Sequence, residues 1–203
     1  MALDTYSGLK SAAASWLARS DLTASLPDFV TLAEARINRE LRIREMLAQA
    51  TGSIAVQSIA LPGDFIEPVL LVLDTATDLP LEFRPPEDAQ LRSGGSTSGQ
   101  PKYFTVLGGQ IRLYPTPDTS YDYTLDYYAT LDALSDTNAS NAILVKAPDL
   151  YLFATLCEAE PFLQNDERVA LWEARYQNAR AVLNGADQRS RRSAGVQRMR
   201  VVV

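Results

Sequence analysis

The chain has 203 residues, 46% of them hydrophobic, which is enough to bury a sizeable core in one domain or in one domain with an insertion. It has no histidine and one cysteine, Cys157, which excludes imidazole bases, Ser-His-Asp and Cys-His nucleophile systems, histidine-ligated metals and intrachain disulfides. The net charge of −6 divides unevenly, because residues 1–187 carry 14 basic and 25 acidic side chains whereas residues 188–203 carry five arginines and no acid.

Two amphipathic helices are predicted at the start of the chain. The first lies between Thr5, a candidate cap, and Arg19, and the second between Pro27 and Ala48. The apolar spacing places two inward stripes, one of Leu9, Ala13, Trp16 and Leu17 and one of Phe29, Val30, Ala33, Ile37 and Leu41. The second helix also carries a charge run typical of a solvated face, which in an oligomer could line a subunit contact: Glu34, Arg36, Arg39, Glu40, Arg42, Arg44 and Glu45.

The helical spacing ends near Thr51, and short runs rich in β-branched and aromatic residues follow as far as Ala129. Gly108-Gly109 fits a tight hairpin turn, because glycine accepts the positive φ values that such a turn requires. The candidate strands are Ser53–Ala60, Pro68–Leu73, Leu79–Phe83, Lys102–Val106, Gln110–Tyr114 and Tyr121–Ala129.

Two stretches of this β-rich part could be mistaken for sites. The segment Arg92–Pro101 resembles a phosphate loop only superficially, since it has no Walker lysine, and Thr97 stands where a nucleophile elbow has serine. We interpret it as a mobile surface loop. In the last strand Asp122 and Asp126 could coordinate a metal, but the alternation that places Tyr121, Tyr123, Leu125 and Tyr127 on the opposite face explains them without a ligand. We therefore expect no metal or cofactor site.

The strongest helical pattern lies between Ala147 and Leu183 and predicts an antiparallel helix pair. The first helix has Pro148 in its first turn, is apolar on all sides and should be buried on more than one side, and it should kink or end near Pro161. The second, near 166–184, has an apolar stripe of Val169, Trp172, Tyr176, Ala179 and Leu183. Its opposite face can meet solvent or another chain and carries Glu173, Arg175, Gln177, Asn178 and Arg180. The apolar neighbours of Cys157 indicate an inert core thiol.

These patterns predict an α+β protein in which a bundle of about four helices carries a β-rich insertion in the middle of the chain. The expected divisions are residues 1–50 and 131–187 for the bundle, 51–130 for the insertion and 188–203 for an extended basic arm. From Gly185 onward no apolar period appears before Val201–Val203, so we expect this end to be disordered in isolation and to order on binding. The start of the chain lacks the pattern of a secretory signal, and no apolar run approaches the roughly 20 residues of a membrane span.

Several stretches, taken in order, resemble the head-to-tail adaptor proteins of tailed bacteriophages, the family of podovirus portal adaptors and tail accessory factors. They span nearly the whole chain: LPDFVTLAEARINRELRIREM (Leu26–Met46), LPGDFIEP (Leu61–Pro68), PKYFTVLGGQIRLYPTPD (Pro101–Asp118), KAPDLYLFATLCEAEPFLQNDERVALWEARY (Lys146–Tyr176) and RMR (Arg198–Arg200). No single stretch is a catalytic signature, but their order and spacing together make the resemblance specific.

The resemblance implies a structural, non-enzymatic virion protein at the head-tail junction, made in the host bacterial cytoplasm. Such adaptors form a ring of about twelve subunits under the portal. Their helical part forms the ring, their β-rich part faces the next tail component, a nozzle or tail tube, and their C-terminal arm reaches the portal. Double-stranded DNA would pass through the lumen without specific binding. No membrane contact or cofactor is implied. The expected portal-binding residues are Arg189, Arg191, Arg192, Arg198, Met199, Arg200 and Val201.

Two other functions stay open from the residues alone. A carboxylate-dependent cell-wall hydrolase needs only two suitably spaced acids, and the nearest candidates are Glu158 with Glu160 and Asp64 with Glu67. The first pair points to different sides of a helix, and the second lies in a turn where capping explains it. A nucleic-acid-binding protein would use the basic C-terminal tail, against the opposing charge of the acidic body.

Overall fold

A computed structural model describes residues 3–19, 21–75, 80–94, 98–163 and 168–193, with the backbone alone at 160–163 and 191–193. These described residues divide into two compact units, one within 1–45 and 131–193 and one within 46–130. The α+β class predicted from the sequence is confirmed. In chain order the elements are α1 (Tyr6–Leu17), α2 (Leu26–Glu40), β1 (Leu47–Ile54), β2 (Ser58–Ala60), β3 (Phe65–Asp74), β4 (Glu82–Phe83), α3 (Pro86–Arg92), β5 (Tyr103–Leu107), β6 (Gln110–Tyr114), β7 (Tyr121–Ala129), α4 (Ala142–Lys146), α5 (Pro148–Leu163) and α6 (Val169–Ser193).

The helical unit is built around α5, which packs against α1, α2, α4 and α6. Leu150, Tyr151, Ala154 and Leu156 on this helix are all fully buried. Burial on several sides is what its lack of polar residues predicts, because an α-helix without a polar face has no side to turn to water. Among the described residues, no helix combines the length and the apolar composition that crossing a membrane requires.

The first helix begins and packs largely as predicted. Thr5 caps α1 by accepting a hydrogen bond from the Gly8 N–H at 3.2 Å, and Leu9 is fully buried on the inward stripe. The inward placement of Trp16 is wrong, since its side chain is 49% exposed. Trp16 lies at the margin of the stripe, where its ring meets the edge of Phe153 with centroids 5.7 Å apart.

The predicted end of the second helix at Ala48 is also wrong, because α2 stops at Glu40. Leu41 is extended, with φ −105° and ψ 136°, and the Arg42 guanidinium donates hydrogen bonds to the carbonyls of Asn38 and Leu41 that the helix leaves free. Leu41 and Ile43 are both buried two residues apart, which suits an extended segment and not a helix. The inward stripe at Phe29, Val30, Ala33, Ile37 and Leu41 is confirmed.

The last helix continues beyond its predicted end at 184, because α6 runs to Ser193. Gly185 is tolerated, and the good helix formers around it, together with Asp187, carry the helix onward. The Asp187 carboxylate is buried and accepts a hydrogen bond from the Arg44 N–H at 3.1 Å, which fastens this part of α6. The expectation of disorder from Gly185 onward is thus wrong as far as Ser193, and residues 194–203 lie outside the described residues.

The β-rich unit contains two sheets, with strand orders β1-β7-β3 and β2-β6-β5-β4. Strand β7 lies in the centre of the first sheet, and Leu47 at the start of β1 pairs with Tyr128 near the end of β7. The single strand predicted at Ser53–Ala60 divides into the end of β1 and the short β2. The strands predicted at Gln110–Tyr114 and Tyr121–Ala129 are confirmed, whereas the short helices α3 and α4 were not predicted.

Side chains from both sheets form the core of this unit. Leu125 and Tyr127 of β7 belong to it, as the predicted alternation requires, together with Ile54, Leu71, Leu73, Leu81, Phe104, Ile111, Leu113 and Ala129. The β5-β6 hairpin turns at Gly108 and Gly109 with φ +61° and +73°, which confirms the two-residue turn.

Candidate interaction surfaces

A group of charged and aromatic side chains joins α2, α5 and α6, and we call it the Arg36 cluster (Arg36, Glu40, Glu158, Glu173, Tyr176 and Arg180). The Arg36 guanidinium lies 2.6 Å from Glu173, 3.2 Å from Glu40 and 3.7 Å from Glu158. Its central carbon lies 4.2 Å from the centroid of the Tyr176 ring. Glu40 also accepts hydrogen bonds from the Tyr176 hydroxyl and from Arg180. Predicted to lie on solvated faces, Arg36 and Glu173 instead hold three helices together.

The ionisation of the cluster follows from these contacts. Burial disfavours the charged guanidinium, but the hydrogen bonds and charges of Glu173 and Glu40 outweigh burial and raise the pKa of Arg36. The hydrogen bond from Arg36 lowers the pKa of Glu173 below its usual range. Burial, followed by the charge of Glu40, raises the pKa of the Tyr176 hydroxyl. Arg36 and Glu173 therefore form a charged pair at neutral pH.

A second polar network fastens the segment 131–141 to α2. Glu34, which is 7% exposed, accepts a hydrogen bond from the Leu134 N–H at 2.9 Å. The Tyr151 hydroxyl interacts electrostatically with this carboxyl group and accepts a hydrogen bond from Asn141 at 2.7 Å. Asn141 caps α4 through the Leu144 N–H. The prediction of a solvated Glu34 is thus wrong. Its spacing from Val30 and Ile37 already placed it on the buried stripe, and its charge masked that signal.

Because burial raises the pKa of Glu34 above its usual value near 4.5, ionising this carboxyl group costs stability. The folded state holds the proton to higher pH than the unfolded state, so the stability that protonation provides is lost as the pH rises from about 4.5 through the folded pKa.

The Glu34→Gln variant tests this prediction, because glutamine keeps the shape of the side chain and cannot ionise. We expect the unfolding free energy of the unmodified protein to fall relative to this variant as the pH rises from about 4 to 7, measured by denaturant titration. The exposed Glu87→Gln is the control. A stability difference between the unmodified protein and the Glu34→Gln variant that stays constant across this range would contradict the expectation.

The outward side of α6, which we call the outer face, carries five exposed side chains, three apolar and two polar. It consists of Leu171, Ala174, Asn178, Val182 and Arg189, of which Leu171 is 56% and Val182 59% exposed. These residues follow a helical period of their own, beside the buried stripe of Trp172, Tyr176, Ala179 and Leu183. Leu171 and Val182 thus form an exposed apolar surface beside the buried stripe.

The predicted portal-binding residues divide at the end of α6. Arg189 is exposed on the outer face, and the backbones of Arg191 and Arg192 belong to the same helix. Arg198, Met199, Arg200 and Val201 lie outside the described residues. The structure therefore brings the first three arginines onto the last two turns of one helix, where the sequence predicted an extended arm.

Two of the carboxylates considered for a hydrolase have other contacts. Glu158 belongs to the Arg36 cluster. Asp64 accepts a hydrogen bond from the Tyr127 hydroxyl at 3.0 Å, and the side chain of Glu160 is outside the description. The Cys157 thiol is half-buried, and burial, with the nearby Glu173 charge, raises its pKa to about 12. A thiol with this pKa is a poor nucleophile, in agreement with the interpretation of an inert cysteine.

The polar segment around residues 92–101 is held at both of its described ends. Arg92 closes α3 and pairs with Asp88, while Ser98 forms a parallel bridge with Thr116. Gly99 adds a hydrogen bond from its N–H to the Thr116 carbonyl at 2.9 Å. Residues 95–97 lie outside the described residues, so the predicted mobility of the loop stays a prediction.

Comparison with known proteins gives one family. The family model described as SU10 adaptor protein matches residues 4–200, which include both units and the residues of the Arg36 cluster. No curated protein matches the chain.

Proposed function

Because the chain belongs to the SU10 adaptor protein family, a family of structural phage adaptors, we propose that it is a subunit of a head-to-tail adaptor ring. The ring docks under the portal of a tailed phage and joins the DNA-filled capsid to the tail. Its partners are further copies of the same chain, about twelve in a closed ring, then the portal above and a tail protein below. The role is structural and the protein acts at the head-tail junction of the virion.

The outer face of α6 is the observation that carries the ring proposal. A cyclic ring uses two different surfaces of each subunit, one contacting the preceding copy and one the following copy. Leu171 and Val182 are more than half exposed on a helix whose opposite stripe is already buried. A neighbouring subunit would remove their apolar surface from water, which is the main favourable term in protein association. The one charge of the outer face, Arg189, is basic, and the body of the chain is acidic, so a contact that brings Arg189 against the body of another copy is also electrostatically favourable.

The acidic body suits the conduit role. A wall that attracted phosphates would bind the duplex through released counterions and retard it. Residues 1–187 carry 25 acidic side chains against 14 basic ones, so the wall of such a ring repels DNA on average and lets it pass without specific binding.

The basic C-terminal stretch, residues 188–203, is the proposed portal contact. It carries five of the 19 basic residues of the chain and no acid. Arg189, Arg191 and Arg192 extend α6, and Arg198, Met199, Arg200 and Val201 follow beyond the described residues. Arginine pairs well with carboxylates, and many copies in one ring convert weak single contacts into tight attachment.

Deleting residues 194–203 tests the portal contact while leaving all of α6 in place. We expect the melting temperature to stay nearly unchanged, because the deleted residues follow the last packed helix, and attachment to portal rings to be lost. Co-sedimentation of the purified protein with portal rings measures the attachment.

Charge reversal gives a finer version of the same experiment. Arg198→Glu combined with Arg200→Glu should weaken portal binding more at low than at high salt, because salt screens exposed charges. Arg39→Glu, at an exposed arginine of α2, is the matched control and should bind normally. Undiminished co-sedimentation of the truncated protein would refute the assignment of the portal contact to residues 194–203.

A further inference from the structure

Strand β1 is an exposed sheet edge without the usual protection. Its eight residues, LAQATGSI, pair with β7 on one side, and no strand of the described chain pairs with the other side. They include no charge and no proline, and five of the eight are exposed. Such an edge presents a row of free N–H and C=O groups to any extended chain that approaches.

The opposite edge of the same sheet is protected in the usual ways. Strand β3 contains Pro68, which has no N–H to donate, and its pairing with β7 is interrupted by two register shifts near Glu67 and Val69. Its far end is covered by a bridge from Val72 to Pro80. Since one edge of this sheet is blocked and the other left open, the open edge is a candidate for pairing with another strand.

The charge of the sheet indicates what that strand should carry. The 27 residues of β1, β3 and β7 include four acids and no lysine or arginine. Asp122 and Asp126 lie on the face of β7 that Gln49, Thr51 and Ser53 share on β1, as their pairing shows. Gln49 already donates a hydrogen bond to Asp126 at 2.8 Å. A strand added beside β1 would lie about 10 Å from β7. A long arginine side chain on that strand can extend over β1 towards Asp122 and Asp126.

The other face of β1 favours apolar neighbours. Ala48 and Ala50 stand opposite the buried Tyr127 and Leu125, and they pack against the core while they are themselves only half-buried. Apolar side chains on the inner face of an added strand would cover both alanines. The complementary strand therefore alternates basic residues on one face with apolar residues on the other.

This chain carries such a sequence at its own end, RMRVVV. In an extended conformation Arg198 and Arg200 lie on one face and Met199, Val201 and Val203 on the other. We propose that residues 198–203 of a second copy of this chain add to β1 as a further strand, with their arginines over Asp122 and Asp126 and their apolar residues over Ala48 and Ala50. The segment follows α6 after four intervening residues, which lets it extend away from the helix.

This pairing belongs to the protein free of portal. The same residues are the proposed portal contact, and one segment cannot occupy both places at once. Copies of the protein would associate through β1 in the absence of the portal. When the portal is present, residues 198–203 would leave β1 and bind the portal. Pairing with β1 does not depend on the portal proposal, because β1 and residues 198–203 both belong to copies of this same chain.

The experiment is a charge swap read by self-association of the full chain. Gln49→Arg with Thr51→Arg places two positive charges on the β1 edge, and Arg198→Asp with Arg200→Asp reverses the segment. Each pair alone should weaken self-association about tenfold, measured by sedimentation velocity at low salt, and the chain carrying all four changes should recover it. Val69→Arg with Leu70→Arg, at exposed residues of β3, adds the same charge to the other edge and should leave the association constant unchanged.

Hydrogen exchange of the β1 amides identifies the surface. Protection at residues 47–54 should rise with protein concentration in the unmodified chain and not in either charge-reversed chain. Protection of residues 47–54 that does not rise with protein concentration, or that still rises after deletion of 194–203, would overturn the proposal, since the occupant of β1 would then be absent or another segment. Self-association that survives the deletion without protecting β1 belongs to another surface, such as the outer face of α6. The β1 variant keeps its C-terminal stretch, so its binding to portal rings tests the portal contact separately.

Discussion

Replacing Trp172 by alanine is expected to lower the free energy of unfolding by about 3–5 kcal/mol, the usual cost of emptying a large aromatic site in a core. Trp172 is 3% exposed on the buried stripe of α6, and the Arg168 guanidinium lies over its ring at 5.0 Å from the centroid. The helical unit is built around α5, and the stripe that contains Trp172 is buried against it, so the cavity would form in the core of this unit. Denaturant unfolding of the purified variant measures the loss.

The other tryptophan supplies a matched control. Trp16 is 49% exposed and makes one edge-on contact with Phe153, so Trp16→Ala should cost about 0.5–1.5 kcal/mol. Equal losses for the two variants would show that burial on α6 does not dominate the stability of this unit.

Replacing Arg36 by methionine is expected to cost about 2–4 kcal/mol, because it leaves three carboxylates close together without their shared counter-charge. The value lies below that for a fully buried ion pair, since the side chain is 15% exposed. The loss should shrink as the pH falls. Arg36 lowers the pKa of Glu173 in the folded state, and the resulting stabilisation is present above the ordinary glutamate pKa and disappears on acidification.

Arg39→Met is the control for this prediction. Arg39 lies three residues further along α2 and is exposed, so its loss removes the same charge without opening the cluster. Urea titrations of both variants at pH 4 and pH 7 separate the effects. A loss at Arg36 no larger than that at Arg39, or one that grows on acidification, would show that the cluster does not act as an ionised network.

The sequence predicted the parts of the fold in which apolar spacing decides the structure. The stripes of α2 and α6, the buried α5 and the inward face of β7 follow from spacing alone and are confirmed. The exceptions are Val169, which is half-buried, and Tyr128, which is buried on the face of β7 predicted to meet solvent. Helix ends were predicted less well. The Arg42 side chain ends α2 through local hydrogen bonds to the Asn38 and Leu41 carbonyls, whereas its charge had placed it in the predicted helix. Asp187 carries α6 past Gly185 by meeting Arg44, a partner 143 residues away that no local pattern contains.

The interaction surfaces were harder to predict than the fold. The charges of Glu34 and Arg36 indicated a solvated face, whereas both are held by residues more than 90 positions away: Leu134 for Glu34 and Glu173 for Arg36. No local pattern contains such partners. The outer face of α6 could have been recognised, since Leu171 and Val182 fall on a helical period of their own, and the portal-binding role of the C-terminal stretch stays a prediction.

The pairing of Leu47 with Tyr128 has a consequence for how such proteins can diversify. These residues stand near the two ends of the β-rich unit, and directly paired strand residues are about 5 Å apart. Because the first and last strands of the β-rich unit lie side by side, the unit can be replaced by another whose two ends are equally close, or shortened to a tight turn. The order of the helices along the chain stays the same in either case. The helical framework and the β-rich segment are thus free to evolve at different rates within one gene.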